Sequence, residues 1–211
     1  MLRGVSRLPM MRCNALGAPW GTLSGGAASV PQPPALRLCN LENAISVTPQ
    51  TLPASRCARD TAVEMPQLVL PQHANVHGSV LGGMVLHWID MAAALVANRH
   101  SRRPVVTAAI DEMAFLAPIQ IGQLALFKAK LTLVDRSSME IRVDVQSEDL
   151  LTGERRTTAT AFVTFVALDP ETKRPTPVPR LELMTDEERA EHAQALERRR
   201  LRLEKRKAVC G

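Results

Sequence analysis

Tyrosine is absent from the 211 residues, and the aromatic side chains amount to two Trp and four Phe. A platform for single-stranded nucleic acid needs several aromatics on one face, so that class is excluded. No uninterrupted apolar run reaches the length that crosses a bilayer, which excludes an integral membrane protein. Cysteine is scarce. Cys13, Cys39, Cys57 and Cys210 leave the stretch 66–170 without any, and no pair has the close spacing of a zinc knuckle. No metal site and no disulfide framework is therefore expected, and free thiols suit a reducing compartment.

Acidic residues are missing before Glu42, while Arg3, Arg7 and Arg12 recur through the same stretch. With Gly17, Gly21, Gly25, Gly26 and the run Pro31-Gln32-Pro33-Pro34 breaking every periodic pattern, residues 1–65 read as a disordered leader. An organelle transit segment and an upstream extension of a frame starting near Met65 are both open readings. The expected location is cytoplasmic in a bacterial source and the mitochondrial matrix in a eukaryotic one.

The net charge of +5 divides unevenly. Residues 1–65 carry +3, residues 66–170 carry −1 and residues 171–211 carry +3. The centre is thus close to neutral, and the basic excess lies in two flanks, which removes a basic nucleic-acid-binding core.

The texture changes at Pro66, and residues 66–170 read as one folded domain. Gln67–Leu70 predicts a short strand, and Met84–Arg99 a helix whose middle, Ile89–Ala97, is apolar all round except at Asp90. Four strands follow: Val105–Leu116, Leu124–Val134, Ser138–Ser147 and Thr157–Leu168. In the second, Ala125, Phe127, Ala129, Leu131 and Leu133 share a face. In the third, Met139, Ile141, Val143 and Val145 alternate with Glu140, Arg142, Asp144 and Gln146. Period-2 alternation in successive strands means an antiparallel sheet with one apolar and one wet face. The fold class is α+β, with the sheet curled around one buried helix. Residues 171–211 read as a Pro-containing linker and a charged helix. Thr185 is its N-cap and Glu188 completes a capping box, and the thin apolar stripe predicts an exposed or docking helix, a solvated one being the preferred reading.

Two features call for a chemical explanation. An unpaired carboxylate at Asp90 would be costly among apolar neighbours, so it either pairs with His87, an arginine or a backbone group, or serves as a functional acid. Before the helix, Gly78 and the Gly82-Gly83 pair permit close backbone approach where helix N–H groups are free to hold a developing oxyanion.

The run Asn75-Val76-His77-Gly78-Ser79-Val80-Leu81-Gly82-Gly83, then Ile89-Asp90 and Pro104-Val105-Val106-Thr107, resembles the hotdog-fold acyl-CoA thioesterases. The likeness is to the long-chain or brain acyl-CoA hydrolase and YciA-like branch. Phe115–Gly122, Ser137-Ser138-Met139-Glu140, Thr160–Leu168 and Pro177–Leu181 extend it over about residues 66–205. The resemblance implies a hotdog fold, hydrolysis of fatty acyl-CoA to free acid and coenzyme A, and sites at the interface of two modules. Homodimers are implied, with hexamers as trimers of dimers. No separate cofactor is implied, since coenzyme A is part of substrate and product.

Within that resemblance Asp90 matches the catalytic helix carboxylate, as general base or nucleophile, and Gly82 and Gly83 form the oxyanion hole. The loop position that some members fill with Asn or Asp is Ser79 here. Asn75 and His77 are nearby candidates for orienting water or substrate, a structural Asn turn being the competing role for Asn75. Arg136, Ser137, Ser138, Arg155 and Arg156 are candidates for a patch binding the phosphates of coenzyme A. A hydratase using His77, and an acyl-CoA-binding protein without turnover, are the alternative functions.

Overall fold

The computed structural model describes residues 53–210. The leader reading of residues 1–52 lies outside these. Val63–Leu68 (β2) opens a five-stranded antiparallel sheet of order β2-β4-β5-β6-β3, with β3 Val105–Phe115, β4 Leu124–Val134, β5 Ser138–Glu148 and β6 Arg155–Ala167. The helix Gly82–Ser101 (α2) lies on one face of this sheet. Ser55–Cys57 (β1) leads into the single turn Ala58–Thr61 (α1) and pairs in parallel with Arg180–Glu182 (β7). The chain ends in the long helix Asp186–Cys210 (α3). No helix among the described residues is long and apolar enough to cross a membrane.

The core forms where the alternation of the strands meets the inner side of α2. Phe127, Met139, Ile141, Val143, Val145, Ala161 and Val163 are sealed from solvent together with Ile89, Ala92, Ala93, Val96 and Ala97. Each fully buried aliphatic of this size stabilises by roughly 1.5–3 kcal/mol. The small residues Ala92, Ala93, Ala97, Ala159 and Ala161 let helix and sheet approach closely. Trp88 closes one end of the core edge-on to Phe127, with ring centroids 5.8 Å apart.

Several expectations are corrected. The first strand begins at Val63, and both Val63 and Met65 pack on the core, so the folded unit starts before residue 66. Pro66 sits inside that strand rather than before it; β2 is an edge, where a missing N–H is tolerated. Leu133 does not share a face with Leu131. The pairing slips between them, so that Leu131 opposes Ile141 but Leu133 opposes the outward Glu140. The sheet's second face is not wet along its length, because α3 lies over it.

That docking is polar. Arg198 bridges to Glu140 at 2.8 Å, Arg142 and Lys130 both reach Glu191, Arg202 pairs with Asp111, and Arg199 with Asp135. Arg198 also stacks on Phe162, 3.7 Å from the ring centroid. His192 Nδ1 lies 3.0 Å from the carbonyl of Thr132. The capping box forms as expected: Glu188 donates its N–H to Thr185 Oγ1 (3.2 Å) and its carboxylate accepts the N–H of Met184 at 2.6 Å.

The helix α2 is not buried all round. Met91 (41%) and Leu95 (44%) remain exposed on its outer side, as do Val106 (46%) and Ile110 (44%) on the edge strand β3.

Candidate active site

Asp90 stands two turns into α2, half-buried, at the border between the helix's covered and uncovered sides. Among the described residues neither His87 nor an arginine meets it. Thr107, on the edge strand β3, donates its hydroxyl to Asp90 Oδ1 at 2.7 Å. Helix and strand thus present a carboxylate with one oxygen held and the other free of side-chain bonds among the described residues. Thr107 opposes Phe165 across the strands and so faces inward, toward α2. In the sequence Thr107 stood only at the end of the Pro104-Val105-Val106-Thr107 stretch of the resemblance, with no role attached to it.

The loop before α2 is tied down from three sides. Asn75 Oδ1 accepts the N–H groups of His77 (2.8 Å) and Ser79 (3.3 Å), and its Nδ2 donates to Ser79 Oγ at 3.0 Å. Gly78, at φ +79°, makes the turn in a conformation that a side chain would strain. Val80 N–H bonds Ile119 and Leu81 N–H bonds the carbonyl of His73. The His73 ring, itself fixed by the Leu70 N–H on Nδ1, stands edge-on to Trp88 with centroids 5.0 Å apart. His73 is a second residue the sequence did not single out.

Leu81 caps α2 without a side-chain bond, and Met84 and Val85 N–H both turn back to its carbonyl. The N–H groups of Gly82 and Gly83 find no acceptor among the described residues. They carry the partial positive charge of a helix start. Beside them opens an apolar cleft of about 350 Å³ lined by Val80, Gly82, Val85, Phe115, Ile119 and Ala159. A methyl group on Gly82 would touch the Phe115 ring at 3.5 Å, whereas one on Gly83 would meet nothing.

Within one subunit these parts do not converge. Gly82 and Gly83 precede Asp90 by eight and seven residues, about 11 Å along the helix axis, too far to act on one carbonyl group. The phosphate patch is also divided. Arg136, Ser137 and Ser138 lie where β5 begins, while Arg155 and Arg156 lie where it has ended. Eleven strand residues separate them by roughly 33 Å. Arg155 is paired with Glu148 and Arg156 with Glu154. His77 is exposed in the loop, its backbone N–H bonded to Asn75 Oδ1.

The Thioesterase superfamily model matches residues 77–154. The uncharacterized acyl-CoA thioester hydrolase YkhA of Bacillus subtilis is 41% identical over 146 residues, covering 69% of this chain and 84% of YkhA. Acyl-coenzyme A thioesterase 11 of Mus musculus is 42% identical over 143 residues, and the chain spans 24% of its length. Among solved structures, an apo-hexameric acyl-CoA thioesterase superposes with a TM-score of 0.69 at 38% identity, covering 72% of this chain and 97% of the other. The acyl-CoA hydrolase of Staphylococcus aureus, in complex with butyryl coenzyme A, coenzyme A and coenzyme A disulfide, gives 0.68 at 31%, covering 74% and 96%.

That hydrolase was also solved with single alanine replacements of an Asn, an Asp and a Thr. The Asp follows the Asn by 15 residues and the Thr follows the Asp by 17. Asn75, Asp90 and Thr107 stand at the same intervals. By sequence and by fold, the chain belongs to the hotdog-fold acyl-CoA thioesterases of the Thioesterase superfamily.

Proposed function

We propose that the protein hydrolyses acyl-CoA thioesters to free acid and coenzyme A, with each active site assembled from two subunits. The observation that carries this reading is the 2.7 Å bond from Thr107 to Asp90, in residues spaced as those altered in the S. aureus enzyme. Thr107 holds one carboxylate oxygen, leaving the other to take a proton from water as that water attacks the thioester carbonyl. The oxyanion that forms is held by the free N–H groups of Gly82 and Gly83 from the second subunit. The C–S bond then breaks and the thiolate leaves as coenzyme A. Direct attack by Asp90, through an anhydride, uses the same geometry.

The apolar cleft beside Gly82 receives the acyl end of the substrate. Asn75 and Ser79 fix the loop whose amides and hydroxyl border the carbonyl. Coenzyme A enters with the substrate, and this chemistry calls for no separate cofactor.

Two subunits are required by the 11 Å gap along α2. The surface for a second copy is the exposed apolar side of α2 at Met91 and Leu95 together with the free edge of β3, the kind of patch and edge a lone subunit rarely leaves open. A homodimer, further assembled as in hexameric relatives, is the expected state. The test is thiol release from a panel of acyl-CoAs by wild type and Asp90→Ala. Loss of release by a folded variant supports the reading; equal rates refute it.

A further inference from the structure

The apolar cleft beside Gly82 has a closed floor. Val80, Val85, Ile119 and Ala159, which line it, are each at most 9% exposed and belong to the hydrophobic core. A close-packed core does not give way to a chain pushed against it. At the rim, Phe115 and Leu116 are 55% and 66% exposed, and the Phe115 ring stands against Gly82. The cleft therefore leads from the free N–H groups at the start of α2 inward to the core.

Its size sets a length. A methylene takes up about as much space as a water molecule in the liquid, roughly 30 Å³. A volume of about 350 Å³ then holds about ten to twelve chain carbons. Carbons beyond that number stay outside and gain no burial.

Its chemistry sets a second limit. None of the lining side chains is charged, and their single polar atom, the Thr158 hydroxyl, donates to the carbonyl of Val145 at 3.1 Å. A hydroxyl or carboxylate at the far end of an acyl chain would lose its water there and meet no free side-chain partner.

We propose that this cleft selects unsubstituted medium-chain acyl groups of about eight to twelve carbons, with Val85 and Ala117 setting the length. The proposal rests on the hydrolase reading above and deepens it. Val85 stands on α2 one turn inside Gly82, at the floor. Ala117, half-buried in the loop after β3, forms part of the wall.

Two variants change the cleft in opposite directions: Val85→Ala removes two methyl groups from the floor, and Ala117→Phe adds a ring to the wall. Two profiles are measured for each protein, kcat/KM for thiol release from acetyl- to stearoyl-CoA, and the Kd of S-alkyl-CoA thioethers of matching length. The thioethers cannot be hydrolysed and are titrated calorimetrically into the full chain.

In wild type both profiles should improve about fourfold per methylene, the worth of one buried CH₂, and level off near about twelve carbons. Val85→Ala should carry the rise about two carbons further, at one methyl volume per carbon, and Ala117→Phe should end it earlier. Lost stability alone would not move the limit in opposite directions. An ω-carboxyl group on the decanoyl chain should lower kcat/KM by at least about 100-fold. Affinity indifferent to chain length overturns the proposal, as does a wild-type rise that continues to stearoyl or a limit that neither variant moves. An ω-carboxylated chain hydrolysed as fast as the plain one overturns the chemical limit. If wild type shows the thioether profile but releases no thiol from any acyl-CoA, the hydrolase reading fails and the selectivity of the cleft stands.

Discussion

Removing the Arg198 side chain tests whether α3 is held to the sheet by charge. Glu140 is 1% exposed at its side chain, and its Oε1 accepts bonds from Arg198 at 2.8 and 3.2 Å and from Thr132 at 2.9 Å. Its Oε2 has no hydrogen bond, with Arg202 3.5 Å away. Arg198→Ala leaves that carboxylate buried with one neutral donor and a distant cation. Stranding a buried charge costs about 3–5 kcal/mol. Arg198 is itself 23% exposed and Arg202 remains, so the low end applies, with the lost stacking on Phe162 adding about 0.5 kcal/mol. Near 3 kcal/mol, the melting temperature of a domain this size should fall by about 6–12 °C. The assay is thermal unfolding at one fixed protein concentration, because assembly also moves the midpoint. Replacing both partners, Glu140→Leu with Arg198→Met, should recover most of the loss, since no charge is then buried alone. A single variant that melts within about 2 °C of wild type refutes the reasoning; so does a double variant no better than the single.

Other outcomes follow from the same geometry. Thr107→Val should lower kcat about 10- to 100-fold by removing the donor that holds Asp90, and Thr107→Ser should restore most of it. His100 is buried, its Nε2 2.8 Å from the carbonyl of Pro179 and its Nδ1 without a partner, and burial pushes its pKa below the usual 6.5. The unfolded chain therefore binds the proton first, so stability contributed by neutral His100 is complete above pH 6.5 and is lost as pH falls below it. In His100→Gln, which can still donate to Pro179, denaturation midpoints measured from pH 8 to 5 should fall less steeply. Thr185→Ala should destabilise by about 1 kcal/mol through loss of the α3 cap, read as a shift in urea midpoint.

What the sequence showed plainly was whatever repeats at short range. The alternation in β4, β5 and β6 gives the sheet and its apolar face directly, and Thr185 with Glu188 marks the start of α3. What escaped was set by pairing across distance. Leu133 leaves its expected face because of one slipped residue, which no alternation count registers. The docking of α3 rests on Arg–carboxylate pairs joining residues up to 91 positions apart, and a polar helix that docks through charge has no apolar stripe to betray it. Asp90 was legible because a carboxylate in an apolar helix is conspicuous. Its partner Thr107 was not, since a threonine on a strand is ordinary. The five phosphate candidates looked like a group only along the chain; β5 places its two halves at opposite ends of the sheet.

The most direct test of a shared active site is complementation in mixed oligomers. Asp90→Asn and Asn75→Ala are each prepared as inactive homo-oligomers, then co-refolded at equal amounts and assayed for thiol release from acyl-CoA. If Asp90 of one subunit works with the loop of the other, a mixed dimer contains one intact site, and activity should return to about a quarter of the wild-type level under random pairing. No recovery, with mixed oligomers demonstrably formed, would contradict the account and place the whole reaction within a single subunit.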